Sequence, residues 1–392
     1  MVSVFKNYIR ILCFLAILIS FSIHEGLAQD STYARNLLDT LTAPTFWGRG
    51  YTQQGMLNTA KFIAIEMEHV GLKPVHKNSY FQAYTQAVNT FDGAMELVVD
   101  GVTLQAGKDF VIAPESKGIF QKNLELEQVG PFEFSNNKHN VQVKLVDKIV
   151  WRPAATFGKS TIVEIRKAAL KHPPKLINLQ IEQKYEPNFQ ANNVMGYIPG
   201  TQYPDSFVVL TAHYDHLGGM GKKVYFPGAS DNASGTAMLL DFAKSYSKYP
   251  LPYSVVFIAF GSEESGLVGS RYFVEHPLIQ LSKIKFLINL DLMGNGDEGI
   301  TVVNATNHIK EYQKIVSIND SLNLLKMVNK RDNAPNSDHY PFTQKNVPAF
   351  FIYTLGGNGA YHDVDDVANA LGLVKYNQVF TLINEFIKTL HH

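Results

Sequence analysis

The sequence predicts an α/β fold in which a mixed, mostly parallel sheet is sandwiched by helices. Short apolar runs in the second half of the chain alternate with stretches of helical periodicity, and such alternation builds parallel sheets covered on both faces. The runs lack the apolar–polar alternation of a half-exposed strand, which indicates strands that are buried on both sides. These runs are residues 194–198, 207–212, 255–260, 286–290, 301–303 and 349–353.

Composition and charge limit the kind of protein. The chain has 392 residues, of which 45% are hydrophobic and 18% charged, so it has material for one large domain or two smaller ones. Its formal net charge is zero, and no basic stripe is apparent. The sequence therefore argues against nucleic acid or an anionic membrane as a partner, and it leaves the oligomeric state open.

The N-terminus is predicted to be a signal peptide, residues 1–28. Lys6 and Arg10 precede an apolar run, residues 11–21, that is too short for a comfortable membrane span. Small residues around Ala28 suit cleavage, which would make the mature chain secreted or periplasmic, with an uncleaved anchor as the alternative. The single cysteine, Cys13, lies in this leader. Any metal in the mature chain must therefore be held by His, Asp and Glu.

Helices are predicted before and between the strands. In residues 56–70, apolar residues recur at spacings of four and three, which gives one apolar helix face. Gly71, with Pro74 just beyond it, is typical of the end of that helix. Further helices are predicted at residues 32–41, 234–247, 267–276, 307–322 and 373–390.

Residues 91–188 are predicted to form an inserted, mainly β subdomain. Residues 95–99 and 102–104 flank the dipeptide Asp100-Gly101, which is typical of a hairpin with a tight turn. Two more strands are predicted at residues 141–145 and 148–151. Since this region has no catalytic constellation, we divide the rest into one domain of residues 29–90 and 189–392. The alternative is that the region is the irregular front of a single domain.

His213 is the first candidate metal ligand. It follows the apolar run 207–212, and open α/β sheets bind ligands at the carboxyl ends of their strands. Asp215 could accept the second ring N–H of His213 and fix its tautomer. We interpret His216 as a loop residue. The alternative for His213 is a surface histidine in a loop.

Carboxylates follow at the ends of other predicted elements. Asp231 precedes a helix, where it could bridge two cations or only cap the helix. Asp291 ends an apolar run, where an acid is rarely left without a partner, although it could be a turn residue. Adjacent side chains of an extended segment point to opposite sides, so one of Glu263 and Glu264 can bind metal while the other faces water. The alternative is two solvated acids.

His362 lies in a late glycine-rich loop and is the second candidate imidazole ligand. One of the acids Asp363, Asp365 and Asp366 could orient its ring. His339, beside Asp338 in a similar polar loop, is a competing candidate that the local pattern does not exclude.

Taken in order, these motifs resemble the double-zinc aminopeptidases of metallopeptidase family 28. The resemblance extends over about residues 190–368, with the helices of residues 32–70 similar to the front end of that family. Relatives usually have Thr-Pro where this chain has Asp363-Val364, which affects the expected loop shape. The motifs are His-Tyr-Asp at 213–215, Ser-Asp-Asn-Ala-Ser-Gly at 230–235, Glu-Glu-Ser-Gly at 263–266, Asn-Leu-Asp-Leu-Met-Gly at 289–294 and Tyr-His-Asp at 361–363.

The resemblance implies a zinc aminopeptidase or phosphorylase-hydrolase-like fold with two Zn²⁺ per chain. Asp231 would bridge the ions, His213 and Asp291 would complete one site, and Glu264 and His362 would complete the other. It also implies that Glu263 is the general base and that Asp215 supports the site. Asp338-His339 is similar to a regular family pattern that does not bind metal, and the insert is similar to a protease-associated domain.

The implied function is a secreted zinc exopeptidase. It would hydrolyse N-terminal residues from peptides with a free N-terminus, by a water that two zinc ions activate and Glu263 deprotonates. One alternative is a carboxypeptidase, which needs a cationic pocket for which Arg49 and Arg271 are the candidates. Others are a glutaminyl cyclase on the same fold and a non-catalytic metal-containing binding protein. The preferred N-terminal residue is left open.

Overall fold

A computed structural model describes residues 31–76, 78–357 and 359–391 of the chain. The predicted signal peptide lies outside the described residues. Within them, no helix combines the length and apolar character needed to cross a membrane.

Six helices of the described residues lie within three residues of their predicted bounds, whereas the short helix His339–Thr343 was not predicted, because His339 was expected in a polar loop. The second helix buries Met56, Ala60, Ile63 and Met67 on one face, as expected from their spacing. It ends at His69, and Gly71 just beyond has a φ of 87°, which a glycine adopts without strain. The helices are α1 Ser31–Leu41, α2 Gly55–His69, α3 Gly235–Lys248, α4 Val268–Glu275, α5 Ile309–Leu322, α6 His339–Thr343 and α7 Tyr376–Lys388.

The central sheet has nine strands and confirms the predicted α/β class. Its middle strands, in the order β16-β13-β17-β20, are parallel, whereas the strands on either side join them through antiparallel pairs. The strands are β1 Lys73–Pro74, β2 Phe81–Thr90, β12 Lys184–Ile198, β13 Tyr203–His213, β16 Tyr253–Phe260, β17 Ile284–Asp291, β18 Gly299–Val303, β19 Val328–Arg331 and β20 Ala349–Leu355.

Two apolar cores cover the two faces of this sheet. Along β13, Val208 and Leu210 enter one core and Val209 the other, because successive side chains of a strand point to opposite faces. The larger core contains residues of α1, α2, α3, α5 and α7, and the smaller one contains residues of α4 and α6. β16 is buried at every position, which explains its unbroken apolar sequence.

The region between β2 and β12 is mainly β, as predicted. Its hairpin β3–β4 has the predicted bounds, and two sheets of four and five strands share one apolar core. Whether residues 91–188 form a separate subdomain stays a prediction. The strands are β3 Met95–Val99, β4 Val102–Leu104, β5 Phe110–Ile112, β6 Ile119–Glu125, β7 Glu127–Gly130, β8 Glu133–Asn136, β9 Val141–Val146, β10 Thr161–Arg166 and β11 Leu176–Ile181.

The predicted strand at residues 148–151 is wrong. That segment is irregular, and Trp151 is buried with its ring stacked on Phe226 at a centroid distance of 5.4 Å. The indole N–H donates to the carbonyl of Ile112 over 2.9 Å. Phe226 comes from the loop after β13, which also contains the short pair β14 Gly219–Met220 and β15 Val224–Tyr225. The segment is therefore held by packing of Trp151 on Phe226 and by its hydrogen bond to Ile112.

Candidate functional site

The predicted site residues meet at one edge of the central sheet. His213 ends β13 and Asp291 ends β17, while Glu263 and Glu264 follow β16 after a two-residue turn. These strands are parallel neighbours, so their carboxyl ends lie side by side. Asp231 reaches the same edge from the irregular turn that precedes α3.

The Asp231 carboxylate lies between two groups of side chains. Its Oδ1 is 3.3 Å from Nε2 of His213, which is also 3.4 Å from Oδ1 of Asp291. Its Oδ2 is 3.3 Å from Nε2 of His362, which is also 3.1 Å from Oε2 of Glu264. All five residues predicted as metal ligands therefore come together, in two groups that share one aspartate.

In both imidazoles, Nε2 faces these carboxylates. Nδ1 of His213 is 3.1 Å from the carbonyl oxygen of Asp215, and Nδ1 of His362 is 2.8 Å from that of Trp151. A carbonyl oxygen only accepts, so Nδ1 carries the hydrogen in each ring. In the neutral rings, Nε2 is then an acceptor that faces acceptor oxygens. This arrangement requires a cation in each group, either a proton or a metal ion.

The residues around Asp231 could hold a metal ion, and ligand atoms of His213, Asp231 and Glu264 lie within 4.8 Å of one another. Two ligands at the usual zinc distances lie roughly 3.4 Å apart in a tetrahedral site, and the donor pairs around Asp231 are separated by 3.1 to 3.4 Å. Nε2 of His362 and Oδ1 of Asp291 are buried and make no hydrogen bond within the described structure. Buried nitrogen and oxygen atoms that lack a hydrogen-bond partner are suited to coordinate a metal ion through their lone pairs.

The metal-free site has unusual ionisation. Burial acts to raise the pKa of Asp231, but the neighbouring His213 and His362 hold it well below its usual range. Burial disfavours charge on His362, but Glu264 and Asp231 outweigh burial and raise its pKa to about 11. Glu264, also close to His362, has a pKa lowered to about 2 despite its burial and the charge of Asp231. These carboxylates therefore stay ionised at neutral pH.

Glu263 differs from its neighbour Glu264. Both glutamates line the cavity, but Glu264 is held between His216 and His362, whereas no ion pair of Glu263 is found in the described structure. Burial raises the pKa of Glu263 well above its usual range; His213 opposes this, and Asp338 adds to it. A carboxylate with a raised pKa is a stronger proton acceptor than a solvated one. The two glutamates therefore face different partners, as predicted for adjacent side chains.

Asp215 supports the site differently from the prediction. Its carboxylate is 3.8 Å from Nδ1 of His213, and the ring N–H donates to the Asp215 main-chain carbonyl instead. The carboxylate accepts from the main-chain N–H groups of Glu263 and Glu264 over 3.0 and 3.3 Å, and from the hydroxyl of Tyr51 over 3.3 Å. Asp215 therefore ties the glutamate loop to the strand end that carries His213.

His216 lies in the loop after β13, as interpreted from the sequence, but its ring contacts the site. The ring is buried and its Nδ1 is 2.7 Å from Oε1 of Glu264. The ring packs on Gly228, where a β-carbon would come within 2.4 Å of His216 Cδ2. The spacing of His213 and His216 was the available signal for a second imidazole at this strand end.

Within the described residues, none of Asp363, Asp365 and Asp366 is hydrogen-bonded to the His362 ring, contrary to the sequence expectation, and the Trp151 carbonyl accepts from its Nδ1 instead. Asp366 instead accepts hydrogen bonds from the main-chain N–H groups of Ser230 and Asp231, at distances of 2.9 to 3.1 Å. It thereby fixes the turn that presents Asp231. The β-rich region, through Trp151, thus contacts a candidate ligand directly.

Asp291 is held by a chain of hydrogen bonds that the sequence did not indicate. Thr211 Oγ1 donates to Asn289 over 2.6 Å, and the Asn289 amide donates to Ser337 over 2.7 Å. Ser337 Oγ then donates to Oδ2 of Asp291 over 3.3 Å. The other carboxylate oxygen of Asp291, Oδ1, faces Nε2 of His213.

The arginine suggested for a substrate carboxylate has a different role. Arg49 is fully buried, and its guanidinium donates to five main-chain carbonyl oxygens, including those of Tyr214, Gly228 and Asp231. Burial lowers its pKa to about 10, so it remains cationic at neutral pH. Arg49 clamps the Asp231 turn to the end of β13 and has no donor left for a ligand. Arg271 is exposed on α4 and does not line the cavity beside the site.

His339 lies apart from both groups around Asp231. It begins α6 with its ring centroid 5.4 Å from that of Phe351, and burial lowers its pKa to about 3. In the part of the chain that the structure describes, it forms no ion pair with a candidate ligand. Geometry therefore favours His362 over His339 as the second imidazole.

A cavity of about 220 Å³ opens beside the site. It is smaller than typical drug-sized ligand pockets, which occupy about 300 to 1,000 Å³. Its walls combine the site residues with aromatic rings and two polar side chains. The lining residues are His213, Asp231, Glu263, Glu264, Asp291, Leu292, Arg331, Asn336, Phe351, Tyr353 and Tyr361.

Comparison with known sequences gives matches in the same part of the chain. Residues 193–387 match the model of Peptidase family M28. Aminopeptidase YwaD of Bacillus subtilis is 32% identical over 181 residues, which are 42% of this chain and 36% of that protein. A probable leucine aminopeptidase of Arthroderma otae is 26% identical over 203 residues, 49% of this chain and 56% of that protein. The matches thus span less than two thirds of these relatives.

Comparison with solved structures covers nearly the whole chain. The zinc aminopeptidase BSAP from Bacillus subtilis has a TM-score of 0.67 at 19% identity, covering 93% of this chain and 95% of that one. A Peptidase M28 precursor from Shewanella amazonensis has a TM-score of 0.66 at 13% identity, covering 93% and 94%. At these identities, the similarity establishes a shared fold and nothing further.

Proposed function

The chain belongs to peptidase family M28 through residues 193–387, and from that premise we propose that it is a zinc-dependent aminopeptidase. The family that the sequence motifs resemble is thereby confirmed. The names of its relatives, among them aminopeptidases and probable zinc metalloproteases, support the same class of activity. Export through the predicted leader, residues 1–28, stays a prediction.

One observation carries the proposal of two zinc ions. Each carboxylate oxygen of Asp231 faces a different imidazole, and each imidazole has a second carboxylate beside it. His213 and Asp291 would hold one ion, His362 and Glu264 the other, with Asp231 shared. Zinc bound there would lower the pKa of a water molecule and polarise the scissile carbonyl.

Glu263 is the residue best placed to transfer protons. It lines the cavity and is the carboxylate of the site that neither imidazole approaches within ion-pair distance in the described structure. It would take a proton from the attacking water as the carbon–oxygen bond forms. It would then deliver that proton to the leaving amine as the carbon–nitrogen bond breaks. Asp215 holds the Glu263 main chain for this role.

The small cavity supports cleavage at a chain end. The cavity of about 220 Å³ accommodates one side chain beside the site, and a second cavity of about 120 Å³ shares Asp231, Leu292 and Tyr361 with it. Individual carboxylate oxygens that line the cavity could accept hydrogen bonds from the amine of a free N-terminus. We therefore propose peptides with a free N-terminus as the substrates.

We expect aminoacyl chromogenic substrates to be hydrolysed, and their N-acetylated counterparts not, because acetylation removes the amine and adds bulk. The measurement is release of the chromophore by the purified protein supplied with zinc. Cleavage of the acetylated forms at equal rates would contradict an aminopeptidase. Cleavage of neither form, with hydrolysis of peptides blocked at the N-terminus, would favour a carboxypeptidase.

The thermal stability of the metal-free protein is expected to fall as pH rises above 5. The pKa of His362 is raised to about 11, so its stabilising charge is complete below its ordinary value of 6.5 and is lost toward pH 11. Burial raises the pKa of Asp215 and Asp338 to about 7 each, so their ionisation costs stability between their ordinary value of 3.8 and pH 7. Asp231 and Glu264, with lowered pKa values, stabilise fully above pH 5 and do not reverse the trend.

The stabilisation of the protein by zinc should increase with pH, because the ligand side chains bind zinc in their deprotonated forms. The increase in Tm produced by saturating zinc should therefore grow from pH 6 to pH 8. Differential scanning fluorimetry of chelator-treated and zinc-loaded protein measures it, with magnesium as the control ion. An increase that shrinks over this range would contradict zinc coordination by these residues.

A further inference from the structure

The cavity contains one cationic side chain besides the site histidines. Arg331 lies at the end of β19, an edge strand that pairs with β18 only, and its side chain is exposed. Its Nη1 donates to the hydroxyl of Tyr353 over 3.0 Å. Tyr353 of β20 is paired with Asp291 of the adjacent parallel strand β17. The guanidinium is thereby fixed on the same wall of the cavity as a candidate metal ligand.

Arg331 has donors to spare, unlike the buried Arg49. A guanidinium has five N–H donors, and the structure describes one protein hydrogen bond from Arg331. Within the described residues, no carboxylate forms an ion pair with it. The cavity that Arg331 lines is also lined by Phe351, Tyr353, Tyr361 and Asn336, and of these Tyr353 accepts its hydrogen bond. A planar, partly unsatisfied cation beside aromatic walls is suited to a carboxylate, which it can bind through two parallel hydrogen bonds.

The charges of the site make this interaction favourable. Two divalent ions would balance the four carboxylates of Asp231, Glu263, Glu264 and Asp291. Arg331 would then be the cationic side chain of the cavity without a protein counter-ion. An acidic group entering the cavity would meet no net repulsion from the loaded site.

We propose that Arg331 binds a carboxylate of the substrate and thereby determines specificity. This inference rests on the proposed aminopeptidase function and adds the substrate class. The carboxylate is either the side chain of an N-terminal Glu or Asp, or the C-terminal carboxylate of a dipeptide. Arg331 lines the same cavity as the candidate metal ligands, so the bound carboxylate should lie within about one residue of the scissile bond.

The test compares Glu, Gln and Leu p-nitroanilides, and dipeptides with their C-terminal amides. Wild type should favour the carboxylate-bearing member of one such pair in kcat/KM. Arg331→Gln should reduce that preference by about 10- to 150-fold, as expected for loss of a hydrogen bond to a charged group. Arg331→Lys should retain part of it. The exposed Arg271→Gln is the matched control and should leave it unchanged.

The pair of Glu and Gln p-nitroanilides tests whether Arg331 binds the side-chain carboxylate of the N-terminal residue. The pair of dipeptide and dipeptide amide tests whether it binds the C-terminal carboxylate. An unchanged ratio in Arg331→Gln for both pairs would overturn the proposal while leaving aminopeptidase activity intact. If wild type hydrolyses no substrate, the proposed function fails, and calorimetric binding of L-glutamate and L-glutamine then decides the role of Arg331. Equal affinities of wild type and Arg331→Gln for L-glutamate would refute it.

Discussion

Replacing Glu263 with Gln is expected to lower kcat by about 100- to 10,000-fold, the usual contribution of a general base. Gln has nearly the same shape but cannot accept and return a proton at neutral pH. The main chain of residue 263 should keep its hydrogen bond to Asp215, so the loop should hold its position. Zinc content should stay at the wild-type value, because neither imidazole of the site pairs with Glu263.

The measurement combines steady-state kinetics on the best chromogenic substrate with zinc analysis of the same sample. Glu275→Gln, the same change at an exposed position in α4, is the matched control and should keep full activity. Unchanged turnover in Glu263→Gln would remove this residue from the proton transfer. Low turnover together with lost zinc would mean that Glu263 acts as a ligand.

Replacing Asp231 with Ala should weaken zinc binding at both positions. Its two oxygens face different imidazoles, so one substitution removes a ligand from each group. Asp291→Ala should weaken zinc binding only beside His213, and Glu264→Ala should weaken it only beside His362. Zinc bound per chain at equal free zinc should therefore be lowest in Asp231→Ala, and turnover should be lost with it.

Equilibrium dialysis with metal analysis measures these differences, and Tm in the presence of chelator checks that each variant is folded. Asp231→Asn is a second variant that preserves the volume of the side chain. Retention of two zinc ions by folded Asp231→Ala would rule out the shared role of this carboxylate. A loss in Asp291→Ala equal to that in Asp231→Ala would also contradict it, because the two groups would then not be separable.

Much of the site could be predicted because its residues follow buried strands. The apolar runs before His213 and Asp291 identify strands covered on both faces, and parallel strands share the edge at which they end. The requirement that an acid at the end of an apolar strand finds a partner made Asp291 a candidate, and the family resemblance implied its role as a ligand. Periodicity also predicted six of the described helices to within a few residues, since burial of one face fixes the spacing of apolar residues, but it did not predict the short helix His339–Thr343.

The errors concern groups whose position depends on contacts between distant segments. The carbonyls of Asp215 and Trp151 orient the imidazoles, and a main-chain oxygen has no sequence signature. The role of Arg49 was misassigned because its partners are main-chain oxygens as much as 182 residues away. His216 was set aside although Glu264, 48 residues further on, holds its ring.

The sequence by itself determined the fold class, the family and the kinds of side chain at the site. These follow from local patterns, because burial and strand direction constrain each segment separately. The tertiary structure alone decided which atoms face one another: the two groups around Asp231, the network behind Asp291 and the approach of Arg331 to Tyr353. Such pairings depend on how the chain packs, and packing brings together residues that no local pattern connects.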